Sequence, residues 1–399
     1  MRETSSTGIR KKKYSSIFIS NSFSLPEKIL HIISLEVPYP VLHGGRYDLY
    51  YKLVALWEQG IGIHLHCFGT RNSDHHQMEK FCLSISYYPR TEGWKGFSFS
   101  IPYIVSSRRS GALIENLLKD NHPVLMEGIH STFILNHPGF SNRKTILRLH
   151  NVESVYYERL FQTSSSLTRK CYYKIESALL RRYEKQVAQK VSLILAVSDQ
   201  DANEYEHSFG AHRIQTLSVF IRFPALEYSG RSEYKCLYHG NLAVPENEAA
   251  VRFLLTEVFV NIDIPLVVAG RNPSPKLRSW LRNYPAVTLV ANPTEEQLEQ
   301  LLSKAEVNIL PSFNATGVKI KLMHALYSGR QCITNTQGIR GSGLDPWCIV
   351  LDDHGDILTK IIHCIENPIG EDVLQTRRKE LDRFFDPTEN ARKLIQLIW

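Results

Sequence analysis

The apolar run Val307-Asn308-Ile309-Leu310-Pro311 leads, through a short loop, into Ala315-Thr316-Gly317-Val318-Lys319-Ile320-Lys321-Leu322-Met323-His324-Ala325-Leu326-Tyr327-Ser328-Gly329. The first run reads as a buried strand, and the second as a small-residue loop opening an amphipathic helix. A helix N-terminus presents unpaired N–H groups and the positive end of its dipole, and Lys319 and Lys321 add full charge. Thr316 and Gly317 are small enough to let a phosphate approach the backbone. Lys321, His324 and Ser328 fall at i, i+3 and i+7, one face of the helix with Gly317 a turn before them. Leu322, Met323 and Leu326 form the face that packs on a sheet. The plain alternative is an ordinary surface helix with a solvated lysine.

Outward from this unit the same strand–helix alternation repeats. Before residue 223, Ile29–Leu35, Ile63–Phe68, Val124–Met126, Thr145–Leu149 and Leu193–Val197 read as short buried strands. Tyr47–Gln59, Val152–Phe161 and Ser177–Ala188 read as helices between them. Beyond it the strands are Lys235–Tyr238, Leu266–Ala269, Val287–Val290, Val307–Leu310 and Gln331–Thr334. Their helices are Asn247–Val258, Pro275–Asn283, Glu295–Ser303 and Lys319–Ser328. Such alternation predicts an α/β fold with parallel sheets covered on both faces. At 399 residues the chain is long enough for two such domains. The irregular segment Val219–Arg231 is the expected join. The expected division is a basic polar tail at 1–27, domains at 28–222 and 223–380, and a terminal helix at 381–399.

Composition narrows the function classes. Hydrophobic residues make up 43% and charged residues 22%, ordinary for a globular protein. No stretch reaches the ~20 apolar residues of a membrane span. Met1 to Ser22 is polar and carries Arg10-Lys11-Lys12-Lys13, without the apolar core of a secretory signal. Seven scattered cysteines without CxxC spacing argue against a disulfide framework or a zinc site, and for a reducing cytoplasm. The net charge of +7 suits phosphate-bearing ligands or an anionic membrane surface. Basic residues spread without a nucleic-acid module disfavour DNA or RNA as partner.

Ligands of parallel sheets bind at the carboxyl ends of strands, so residues just after strands are the candidates. Gly44 and Gly45 end Pro38-Tyr39-Pro40-Val41-Leu42-His43-Gly44-Gly45-Arg46 and let the backbone approach a ligand. His150, after the Thr145–Leu149 strand, can hydrogen-bond a sugar hydroxyl or a phosphate, and Asn151 is a good helix N-cap. Gly240 and Asn241 follow the first strand of the second half, and Arg271 stands where a guanidinium can grip phosphate. Each reading has a bland rival: a plain turn, a satisfied buried histidine, a solvated arginine.

In order along the chain, PYPVxxGG, LRLHNVE, GNLxxPENxxAVRFL, AGRNP and NATGVKIKLMHALYSG resemble the family-4-type nucleotide-sugar glycosyltransferases of GT-B architecture. A Gly-rich loop, Gln337 to Leu344, follows, and the resemblance spans roughly residues 28–399. It implies two Rossmann-like domains facing a cleft, with the terminal helix, Thr388–Ile398, crossing back to the first. It also implies retaining transfer of a hexosyl group, mannosyl or glucosyl, from a nucleotide-diphosphate sugar to a saccharide or lipid-linked acceptor, in polysaccharide or glycoconjugate synthesis. By the same resemblance His150 contacts the transferred sugar, and Thr316, Gly317, Val318, Lys319, Ile320 and Lys321 bind pyrophosphate. Lys321 and Arg271 then act on the leaving group with His150 as the catalytic set. Neither a metal nor another cofactor is expected, since N–H donors, Lys and Arg can stabilise the departing charge.

The chain departs from the family at two places where glutamates commonly stand seven residues apart; here they are Thr316 and His324. The family's Arg and Lys after the first strand of the second domain are replaced by Asn241-Leu242-Ala243-Val244-Pro245. Lys319, Lys321 and Arg271 are the available substitutes. The rival readings are a non-catalytic nucleotide-sugar-binding or partner protein, and a nucleotide-sugar epimerase of the same fold. Finally, Leu167 to Tyr183 is basic and aromatic, and reads either as a peripheral membrane contact or as a surface helix whose Leu and Tyr face the core.

Overall fold

The computed structural model describes residues 26–41, 44–71, 76–164, 166–223, 232–260, 262–313 and 317–399. Thr316 and the basic Arg10–Lys13 run lie outside the described residues. The first sheet contains β1 (Ile29–Ser34), β2 (Gly62–Phe68), β3 (Ser84–Tyr88), β4 (Val124–Glu127), β5 (Thr145–Leu149), β6 (Leu193–Ala196) and β7 (Ile214–Thr216), in the order β3-β2-β1-β4-β5-β6-β7. The second contains β8 (Tyr234–Asn241), β9 (Leu266–Arg271), β10 (Val287–Ala291), β11 (Ala305–Ile309), β12 (Gln331–Thr334) and β13 (Ile349–Val350), in the order β10-β9-β8-β11-β12-β13. Every pairing is parallel. Both sheets therefore wind outward in both directions from their first strand, the Rossmann-like arrangement that opens a crevice where the order reverses.

The central strands are apolar throughout because helices cover both faces: Leu30, Ile32, Ile146, Leu147, Leu237 and Val307 are all fully buried. Three strands were not foreseen, and all are sheet edges. Ser-Ile-Ser-Tyr-Tyr of β3, Ile-Gln-Thr of β7 and Ile-Val of β13 are short or half polar, because an edge meets solvent along one side. Two others run further than expected. β8 and β9 continue in register through Gly240↔Gly270 and Asn241↔Arg271, so these residues belong to paired strand ends rather than to following turns. Gly270 permits this, since a Cβ there would lie 2.1 Å from the Gly240 carbonyl oxygen.

The Pro387–Ile398 helix leaves the second half of the chain and packs on the first sheet's layer. Ala391, Leu394 and Ile398 share a core with Leu30, Leu53 and Ile63. Asn390 Nδ2 donates to the Val219 carbonyl at 3.2 Å. Among the described residues no helix is long and apolar enough to cross a membrane.

The first sheet also buries two linked histidines. His31 Nδ1 and His66 Nε2 are 2.9 Å apart, His31 Nε2 meets Asp120 at 3.0 Å, and His66 Nδ1 meets the Tyr88 hydroxyl at 2.9 Å. Burial lowers His31 to about 4 and His66 to about 3. Both folded values lie below the unfolded one, so the unfolded chain binds more protons and stability falls as pH drops below about 6.5. The loss expected at pH 5 is about 2 kcal/mol per histidine. Thermal midpoints measured from pH 7.5 to 5 should fall in the wild type and stay flatter in His31→Gln/His66→Gln. A double variant as acid-sensitive as the wild type would place the sensitivity elsewhere.

Candidate functional site

A cavity of about 550 Å³ opens at the carboxyl ends of β8 and β9 and is walled by residues of both halves of the chain. The second half contributes Gly240, Asn241, Arg271, Lys319, Ile320, Lys321 and His324, and the first contributes Gly44 and Tyr47. The Tyr47 hydroxyl donates to Glu295 Oε1 at 2.9 Å, a direct link across the cleft. A second cavity of about 250 Å³ adjoins it, lined by Gly44, Gly45, His150, Val318 and Ile320. Gly44 and Ile320 border both cavities, and a Cβ on Gly44 would lie 2.9 Å from Ile320 Cγ1. Thus the site residues singled out from sequence converge on two adjoining chambers, except that Gly317 lines neither and Thr316 lies outside the described residues.

The wall between the chambers is the start of the Ile320–Ser328 helix. Lys319 is its N-cap and makes no side-chain cap bond, and the Leu322 N–H turns back to the Lys319 carbonyl at 2.9 Å. Gly317 takes φ +64°, the left-handed turn that aims the chain into the helix, and a Cβ there would lie 2.8 Å from the His150 carbonyl oxygen. Leu322, Met323 and Leu326 are fully buried beneath, as their spacing predicted. Lys321 Nζ donates to Asn247 Oδ1 at 3.0 Å and lies over the Tyr238 ring at 5.2 Å. Burial lowers its ammonium to about 8, and burial likewise lowers Lys319.

His324 lines the larger cavity but is already engaged. Its Nε2 lies 2.6 Å from Glu299 Oε1, and its ring stacks on Phe223 at 4.8 Å with the planes 11° apart. A carboxylate is therefore present beside this position, delivered from the Glu295–Lys304 helix rather than from the helix of His324. Burial acts to raise Glu299, but its bond to His324 and that residue's charge outweigh it and leave the carboxyl below its usual value.

At the smaller cavity His150 belongs to a buried ionic cluster that sequence reasoning missed. His150 Nε2 meets Glu127 Oε2 at 2.9 Å. Lys52 Nζ donates to Glu127 Oε1 at 2.7 Å and to Asp48 Oδ2 at 3.0 Å. Asp48 Oδ1 accepts from the Phe220 N–H at 2.7 Å and lies 3.6 Å from the Arg148 guanidinium. Burial alone would raise both carboxyls; Lys52 chiefly, with Arg148 at Asp48 and His150 at Glu127, holds them below the usual range. Asp48, Glu127 and His150 converge closely enough to ligate a metal ion, but the Lys52 ammonium already provides the cation between the two carboxylates. Glu153, also at this cavity, is pushed up to about 8 by burial and by Glu184, so it is a neutral acid at pH 7.

Sequence comparison places the larger cavity's main domain. Residues 233–367 match the family model described as "Glycosyl transferases group 1". An "Uncharacterized 44.6 kDa protein in cps region" of Klebsiella pneumoniae is 27% identical over 332 residues, covering 78% of this chain and 84% of that protein. The solved structure of TarM superposes with a TM-score of 0.68 at 11% identity, covering 93% of this chain and 99% of that one. Anabaena Alr3699/HepE, solved in complex with UDP and glucose, superposes with a TM-score of 0.62 at 10% identity, covering 92% and 98%. The chain thus carries a domain similar to group 1 glycosyl transferases at residues 233–367, set in a fold of two Rossmann-like domains of GT-B type.

Proposed function

We propose that the protein transfers a hexosyl group, mannosyl or glucosyl, from a nucleotide-diphosphate sugar to an acceptor hydroxyl, with retention at the anomeric carbon. The observation that carries this reading is the start of the Ile320–Ser328 helix, with the cationic Lys319 and Lys321, set between a chamber of about 550 Å³ and a smaller one holding His150. The pyrophosphate would lie at the helix start, its charge met by N–H groups, Lys321 and Arg271. As the sugar–oxygen bond breaks, negative charge grows on the departing diphosphate, where those donors are already aimed. His150, oriented by Glu127, would hold a hydroxyl of the sugar in passage. The acceptor, a saccharide or lipid-linked glycan, would enter through the smaller chamber.

The relative's place in a cps region supports a role in polysaccharide or glycoconjugate synthesis. The free thiols support a cytoplasmic setting. Incubation with a panel of UDP- and GDP-sugars and candidate acceptors should release nucleoside diphosphate from one donor, and proton NMR should show the anomer kept in the product. Donor binding without release, with acceptors present, would leave a binding protein. Conversion of donor to its epimer would make it an epimerase.

A further inference from the structure

Residues 93–99, Gly-Trp-Lys-Gly-Phe-Ser-Phe, hold three aromatic rings out from the first domain. Trp94 is 92% and Phe99 91% exposed, and Phe97 joins them edge to face, 6.3 Å from Trp94 and 5.0 Å from Phe99. Large rings so exposed on a folded domain call for a partner surface. The loop is firmly held. Gly93 N donates to the Tyr103 hydroxyl at 2.9 Å, Ser106 Oγ to the Gly96 carbonyl at 2.6 Å, and Thr91 N to the Ser107 carbonyl at 2.8 Å. A Cβ on Gly96 would lie 2.2 Å from the Thr91 carbonyl oxygen, so the chain turns here against its own backbone.

The short Tyr103–Ser106 helix that carries the loop is joined to the long Leu167–Lys190 helix, Ile104 N donating to Glu176 Oε1 at 3.3 Å. That long helix divides into two halves. Leu180 and Tyr183 turn into the core, whereas Leu167 is 83% and Ile175 54% exposed. Leu167, Cys171 and Ile175 follow at i, i+4 and i+8 on one face. Lys95, Arg109, Arg169 and Lys174 are exposed on or beside these segments, Lys174 paired with Glu158 at 3.2 Å, with Glu92 as the acidic residue of the loop. Protruding aromatic tips on a face that also exposes lysine and arginine fit the headgroup region of an anionic bilayer: the rings enter, and the cations stay among the lipid phosphates.

We infer that this face, the Trp94–Phe99 loop with the first half of the 167–190 helix, docks the first domain on an anionic phospholipid surface. The loop's supporting helix is tied to the smaller chamber, since Arg108 Nε, just after that helix, donates to the carbonyl of Leu35, one of that chamber's lining residues. Docking would set the chamber beside substrates held at the membrane. The inference does not rest on the sugar-transfer reading, because vesicle binding is measured without turnover.

The test sediments the full chain with vesicles of phosphatidylcholine, with and without phosphatidylglycerol, at low and high salt. Expected results are binding to anionic vesicles, weakened by salt and by omission of the anionic lipid, and a blue shift of tryptophan emission on binding. W94S/F99S should bind about tenfold more weakly or worse, with an unchanged thermal midpoint because both rings stand in water. R169Q/K174Q should lose affinity for anionic vesicles while binding neutral ones as before. Absence of wild-type binding, or a W94S/F99S variant that binds as well as the wild type, would overturn the inference. So would self-association by light scattering that W94S/F99S abolishes without any vesicle binding, which would assign the face to a second copy of the chain.

Discussion

Replacement of Lys321 by alanine is expected to lower kcat/KM for the sugar donor by about 10²–10³-fold, the cost of removing one preorganised donor from a developing negative charge. The variant should fold, since the ammonium's close contacts are the Asn247 amide and the Tyr238 ring, and the carboxylate that acts on it, Glu246, is only half-buried and accepts from the Ser312 hydroxyl. Binding gives the sharper readout. Affinity for the nucleoside diphosphate should fall well below that for the nucleoside alone, because only the former offers phosphate oxygens. Equal losses for the two would remove Lys321 from the phosphate site. A pH series adds a signature that a merely structural role would not produce. The folded ammonium is lowered to about 8 by burial, so in the wild type diphosphate affinity should decline as pH rises through that value. Lys321→Ala should lack that decline, and calorimetric titration at pH 7 and pH 9 reads both.

Lys321 also shows what sequence alone could reach. Its helix was legible because three signals coincide there: an apolar strand, a small-residue loop and an apolar stripe at helical spacing. The same local signals gave both parallel sheets, since central strands buried on two faces must be continuously apolar. Edge strands escaped because Ser84–Tyr88 and Ile214–Thr216 owe their conformation to a neighbour rather than to their own pattern. Within the site, spacing brought Lys321 and His324 to one cavity but could not show that Glu299 holds His324, since the two lie 25 residues apart on different helices. The apparent loss of a carboxylate at His324 is thereby partly made good in space. His150 was found by its place after a strand, yet the residues that hold it were not. Lys52 stands inside the run Tyr50-Tyr51-Lys52-Leu53-Val54, where a lysine reads as an exposed position of an amphipathic helix. Only the fold brings Glu127 and Arg148 from β4 and β5 against that helix.

That buried lysine carries the largest expected effect on stability. Lys52 is wholly buried, and its ammonium touches both Asp48 and Glu127. Lys52→Met keeps the volume but leaves buried Asp48 with Arg148, and buried Glu127 with His150, in place of the shared ammonium. Breaking a buried pair in this way costs about 3–5 kcal/mol, because the charge left behind has lost both water and partner. The pH dependence tells this cause from a packing defect. In the wild type both carboxyls are held below their unfolded values, so their contribution is fully present above about pH 4–5 and is lost as pH falls through the folded values. Without Lys52, burial dominates and the carboxyls move upward; one of them takes up a proton as pH falls, and the penalty shrinks. Urea unfolding should therefore show the full deficit at pH 8 and a smaller one at pH 5.5. A deficit that does not vary with pH would mean that Lys52 serves by shape alone. The same proton uptake would alter the Glu127 carboxylate that holds His150. Lys52→Met should therefore also change the pH profile of kcat, whereas a purely structural weakening would lower activity evenly across pH.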